Sequence, residues 1–165
     1  MDRDVALKLV IGLSVVGLAV ALYQTVEHYF LASAVCDVSA TLSCSVVTES
    51  RFGEFPPNSG LATAAWGVLW WAGMAVLSTA TLKGKEWVED QEFYLFSYIA
   101  AGLVFVIYLL TVELYILPQE TGRVVICPFC TVQHVLIVFG LLPLSYLLLD
   151  KPVREYLADI FYTEG

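Results

Sequence analysis

Four stretches, at about 5–30, 61–82, 93–117 and 124–149, each stay apolar over more residues than the roughly 20 a helix needs to cross a bilayer. Hydrophobic residues make up 59% of the 165, too many for an ordinary soluble domain. Little remains for a second unit, so residues 1–165 read as one domain. The expected fold is an all-α membrane protein, a four-transmembrane-helix bundle whose only long connection, about 31–60, lies between the first two spans. Ser59 or Asn58 is expected to cap the second span, and Pro118 to end the third. Ser43 to Ser50 predicts a short surface helix with Val46 and Val47 toward the membrane.

Lysine and arginine near the span ends set the orientation. Arg3, Lys8, Lys83, Lys85, Lys151 and Arg154 fall on the side of the termini, against Arg51 and Arg123 on the other. The positive-inside rule then puts both termini in the cytoplasm and the 31–60 loop outside. Ala32-Ser33-Ala34 has the look of a signal-peptide cleavage site, but the apolar run before it is longer than the 7–15 residues of a signal core, so no cleavage is expected. The net charge of −8 and the lack of a basic stripe exclude nucleic acid as a partner. Glu86, Glu89, Asp90 and Glu92 read as a solvated connector.

The four cysteines form two pairs, Cys36-x7-Cys44 in the loop and Cys127-x2-Cys130 at the head of the last span. Two structural disulfides are the plainest reading, yet a bridge three residues long closes almost no loop and makes a poor staple. A four-cysteine zinc site normally keeps two to four residues between paired ligands, and seven falls outside that range, so no metal is expected. The remaining reading is a redox relay. A helix start favours the thiolate, and Pro128 suits a first turn because its missing N–H would go unpaired there. By the outward orientation of the loop, all four cysteines lie on or near the side where disulfides persist. At about 1.5 Å per residue, Cys130 sits about 4.5 Å deeper than Cys127. Cys127 is then the sulfur the loop reaches, and Cys130 the one facing a buried acceptor.

Taken together, Cys36-Asp37, the seven-residue gap to Ser43-Cys44-Ser45, Ser50-Arg51-Phe52-Gly53, Asn58-Ser59 and Cys127-x2-Cys130-Thr131 resemble the vitamin K epoxide reductase family over essentially the whole chain. The resemblance implies a helical bundle around a quinone of menaquinone, ubiquinone or vitamin K type. It implies that Cys130 reacts with the quinone, Cys127 resolves, Cys44 exchanges with Cys127, and Cys36 exchanges with a partner. Asn58 matches a position that hydrogen-bonds a quinone oxygen in animal members. Those members carry tyrosine where this chain has His134, and a longer insertion where it has only Glu54 to Pro57. The chain thus looks like a microbial relative that takes electrons from a thioredoxin-like extracytoplasmic protein, a separate chain, and supports disulfide formation from a multi-pass position in the cell membrane (the endoplasmic reticulum membrane in a eukaryote). The alternatives are a vitamin K epoxide or quinone reductase and, from a different class, a non-enzymatic membrane scaffold with structural disulfides.

Several other residues carry expectations. His134 shares a helix face with Cys130 and reads as a donor to a quinone oxygen or a proton relay, against a packing histidine satisfied by another helix. Trp66 and Trp70, four apart, and Phe129 are candidates for an aromatic quinone wall, while Trp71 reads equally as lipid-facing. Glu113 reads either as an ion-pair or hydrogen-bond partner or as part of a proton path. Glu27 and His28 read as the plain end of span one.

Overall fold

The apolar runs become helices, and the breaks fall where the backbone chemistry dictates. The computed structural model describes residues 2–31, 34–85, 87–88 and 90–162, with side chains described to Leu149. Helix α1 spans Arg3–Phe30, the short α2 Cys44–Thr48, α3 Thr63–Leu82 and α4 Gln91–Thr111. A π-helical turn, Val112–Ile116, joins α4 to α5, Leu117–Thr121, and α6 spans Pro128–Tyr162. Four membrane-length helices result: α1, α3, α4 with its continuation to Thr121, and α6 from Pro128 to Leu149. The chain is an all-α membrane protein, and among the described residues the only β structure is two isolated bridges.

Three boundaries differ from expectation. The third span does not stop at Pro118. The π turn lets the Leu117 N–H reach the Val112 carbonyl, so Pro118 enters at the start of a fresh helical turn, where its missing N–H costs nothing. That helix ends instead at Gly122, whose left-handed φ of 71° directs its N–H to the Pro118 carbonyl. The second span has no side-chain cap: it starts at Thr63 after Ala62. Asn58 and Ser59 lie in a turn closed by the Phe55 N–H on Leu61 O, at 2.9 Å, with Asn58 in the left-handed region that asparagine tolerates. Residues 124–127, expected to be helical, are extended, as the consecutive β-branched Val124, Val125 and Ile126 favour.

The helices form a ring in which α1 lies between α3 and α6, and α4 closes against α3 and α6. Small residues allow the close approach. Gly17 of α1 lies under the Trp71 ring, and Gly102 of α4 under Trp70, where an added Cβ would sit 2.9 Å from the indole. Trp71 is therefore buried in the core rather than facing lipid. Its indole N–H donates to Gln133 Oε1, and Gln133 Nε2 donates to the Gly17 carbonyl at 3.0 Å, so one amide ties α1, α3 and α6. At the other end Arg3 pairs with Glu92, and Gln91 donates to Thr81 at 2.8 Å.

A second apolar cluster caps the bundle. It contains Cys36, Cys44, Val47, Val112, Leu117, Val125 and Cys127. Val47 is buried in it and Val46 packs onto it, so α2 turns its valines inward rather than toward the membrane.

Candidate functional site

Local hydrogen bonding brings the loop to the head of α6. Ser43 caps α2 by accepting from the Val46 N–H. The Asp37 carboxylate accepts from the Ser43 hydroxyl at 2.7 Å, and from the hydroxyl and N–H of Ser45. These donors, the Ser45 hydroxyl foremost, hold Asp37 down to about 2 from an ordinary 3.8. Thr41–Ser43 then runs beside the extended residues before α6: Ile126 N–H donates to Thr41 O at 2.9 Å, and Ser43 N–H to Ile126 O at 3.1 Å. That two-bond stitch ends one residue short of a cysteine on each strand, Cys44 and Cys127. Gly53 supports the arrangement from below, since a Cβ there would collide with the Thr48 backbone carbonyl.

Cys36 is disulfide-bonded to Cys44, and Cys127 to Cys130. The two pairs meet: Cys127 Sγ lies 3.4 Å from Cys44 Sγ, and both sulfurs are buried. Cys127 precedes α6, and its sulfur accepts the Cys130 backbone N–H at 3.1 Å, as a side-chain cap does. Two further groups close on the pair. Gln24 of α1, buried, points its amide nitrogen at Cys130 Sγ, 3.3 Å, and at Cys127 Sγ, 3.8 Å. A carboxylate oxygen of Glu113, on the π turn, lies within 4.8 Å of both sulfurs. Glu27 and His28 do more than end a span: the Thr48 hydroxyl lies 3.5 Å from Glu27 Oε1, and His28 Nδ1 is 3.1 Å from the Thr48 carbonyl, holding α2 to α1.

Beneath Cys130 opens a cavity of about 550 Å³, within the usual range of small-molecule sites. Its wall is mostly apolar and aromatic, with Trp66, Trp70, Tyr98 and Phe105 among the lining residues. Trp70 stacks on Tyr98 with ring centroids 4.1 Å apart. Three polar atoms at this wall are buried without a partner: both ring nitrogens of His134 and the indole nitrogen of Trp70. The Trp66 indole N–H, by contrast, donates to the Phe55 carbonyl at 2.9 Å.

The structure thus brings together Cys36, Cys44, Cys127 and Cys130, and sets Cys130, His134, Trp66 and Trp70 on one cavity. Asn58 is exposed at the tip of its turn and is not among the residues lining the cavity. Phe129 packs against Tyr23, with centroids 5.1 Å apart, rather than lining it. Gln24 was not anticipated: a lone glutamine late in an apolar run carries no spacing relation to cysteines more than 100 positions away.

Four membrane-length helices carrying two cysteine pairs in sulfur contact define a multi-pass membrane protein with adjacent disulfides at one end of its bundle. The model of the vitamin K epoxide reductase family matches residues 8–145, and the chain belongs to that family. No curated protein matches it. Membership makes the chain a membrane oxidoreductase of a family that acts with quinones.

Proposed function

We propose that the protein is a quinone-dependent thiol–disulfide oxidoreductase that takes electrons from a thioredoxin-like extracytoplasmic dithiol and supports disulfide formation. The excess of lysine and arginine at the termini and the 83–92 connection supports a cytoplasmic location for both termini and an outward-facing loop. The partner dithiol reduces Cys36–Cys44. The Cys44 thiolate attacks Cys127, breaking the Cys127–Cys130 bond, and Cys36 closes on Cys44 to leave a dithiol at the head of α6. Cys130 then delivers two electrons into the cavity as Cys127 closes on it.

The cavity fits a quinone on its own chemistry. A quinone has two carbonyl oxygens and no donor of its own, and the wall supplies apolar surface with unpartnered donors in His134 and Trp70. When bound, the quinone supplies the two-electron, two-proton acceptor. His134 and Trp70 would hold its oxygens, and donors placed there would favour the negative charge that reduction puts on them. Gln24 presents its amide to the sulfurs from the α1 side.

The observation that carries this reading is the 3.4 Å approach of Cys44 to Cys127 above a cavity that Cys130 lines. Anaerobic quinone reduction by purified variants tests it. Cys130→Ala abolishes reduction with any electron donor, while Cys36→Ala retains it with a small dithiol that bypasses the loop. Equal loss in both variants with the small dithiol contradicts the division of labour.

A further inference from the structure

Glu113 is a carboxyl group that the reading above leaves unused. It is 3% exposed, and its Oε1 has no hydrogen-bond partner. A carboxylate oxygen lies within 4.8 Å of both Cys127 Sγ and Cys130 Sγ. The backbone is built to put it there. The helix from Gln91 runs regularly to Thr111, and the π turn that interrupts it begins one residue before Glu113. A π turn adds a residue to the helical circuit and re-aims the side chains on it, a device frequent at functional sites. Buried carboxyls in membrane helices are costly and serve a purpose.

Opening the Cys127–Cys130 bond leaves an electron pair on a sulfur inside the bundle, where an unneutralised charge is expensive. We infer that Glu113 is the proton-transfer group for Cys130. When Cys44 attacks Cys127, the Cys127–Cys130 bond breaks and the electron pair stays on Cys130 Sγ. The Glu113 carboxyl gives that sulfur its proton, leaving a thiol and a carboxylate. When Cys130 is next oxidised, the carboxylate takes the proton back and the thiolate attacks. Over a full cycle Glu113 returns to its starting state.

The groups around the carboxyl are consistent with this assignment. It faces Cys130 of α6 and Cys127 just before that helix, with Cys44 of α2 in contact with Cys127. From α1 the neutral amide of Gln24 reaches the same sulfurs, while Glu27 Oε1 lies 3.5 Å from the Thr48 hydroxyl. His134, one turn further along α6, lines the cavity. On its own strand of helix, Glu120 is taken by Arg51 at 2.7 Å on the surface.

The assignment rests on thiol exchange at Cys127–Cys130 but not on quinone, and the test omits quinone so that the two fail separately. Purified full-length protein is reduced with dithiothreitol, quenched with iodoacetamide, and Cys130 alkylation is read by mass spectrometry. Glu113→Gln, nearly isosteric, slows the appearance of the Cys130 thiol by about 100-fold, and Glu113→Asp recovers most of the rate. In the reduced parent the Cys130 alkylation rate rises with pH in two steps, because thiol and carboxyl titrate as a pair; Glu113→Gln shows one. A structural glutamate predicts neither change. Glu113→Gln at the parent's rate, or slow with the two-step curve intact, overturns the assignment. If the amide variant aggregates, Glu113→Asp decides alone: slower reduction with two steps supports it, and a single step overturns it.

Discussion

His134 presents two unpartnered ring nitrogens at an apolar wall, and a buried polar group left unmet costs about 1–3 kcal/mol. A ligand oxygen in the cavity recovers that cost, which gives the residue its proposed role. His134→Phe should therefore cut quinone turnover by about 100-fold with the fold intact, while His134→Tyr, which still donates, stays far closer to the parent. Steady-state turnover with a monodispersity control checks this; a phenylalanine variant at parental rate makes His134 a packing residue. Asp37 acts on the loop instead. Its folded value of about 2 lies below the ordinary 3.8, so its contribution is fully present above about 4 and is lost as pH falls toward 2. The group is largely exposed, which limits the effect to roughly 1 kcal/mol, or about 5-fold in local opening. Asp37→Asn should speed hydrogen exchange at the Ser45 and Val46 amides by that factor near neutrality, and the parent should converge on the variant in acid. Identical exchange at all pH values would contradict the capping role. His134 and Cys130 were legible as neighbours because both lie on one helix at a spacing of four. Gln24 was not, because only the packing of α1 on α6 carries it to the sulfurs.

At the scale of elements, spans were easier to read than their ends. Length and apolar character alone mark the four long helices, since both are properties of a continuous stretch. The ends depend on local bonding that hydropathy does not register. The run before Cys127 is as apolar as a helix yet forms a strand-like stitch with residues 41–43, and that stitch is what sets Cys44 on Cys127. The π turn that rescues Pro118 has no composition of its own. The bundle also depends on a polar junction: Gln133 accepts from Trp71 and donates to Gly17. Gln133→Leu strands the Trp71 indole N–H and removes the tie to α1, costing about 1–3 kcal/mol. The thermal midpoint in detergent should fall by several degrees; an unchanged midpoint would show that the junction contributes little.

Across the whole molecule, the two cysteine pairs and the cavity follow one another along the bundle. The loop pair sits over the bundle, the helix pair sits at its mouth, and the cavity opens below Cys130. The proposed orientation rests on charge near the span ends, a global property readable from the chain. A cysteine introduced at Ser39 should react with an impermeant reagent on intact cells, and one at Lys85 should not. The reverse pattern would invert the proposed topology.

The proposed transfer of electrons from loop to helix has one most direct measurement. In Cys36→Ser, a Cys44 thiolate that attacks Cys127 cannot be resolved from its own side, and Cys130 is released as a thiol. Trapping with iodoacetamide and mapping by mass spectrometry should then yield a Cys44–Cys127 linkage with Cys130 alkylated. Recovery of alkylated Cys44 beside an intact Cys127–Cys130 bond would contradict the account, because the 3.4 Å approach would then be a contact without exchange.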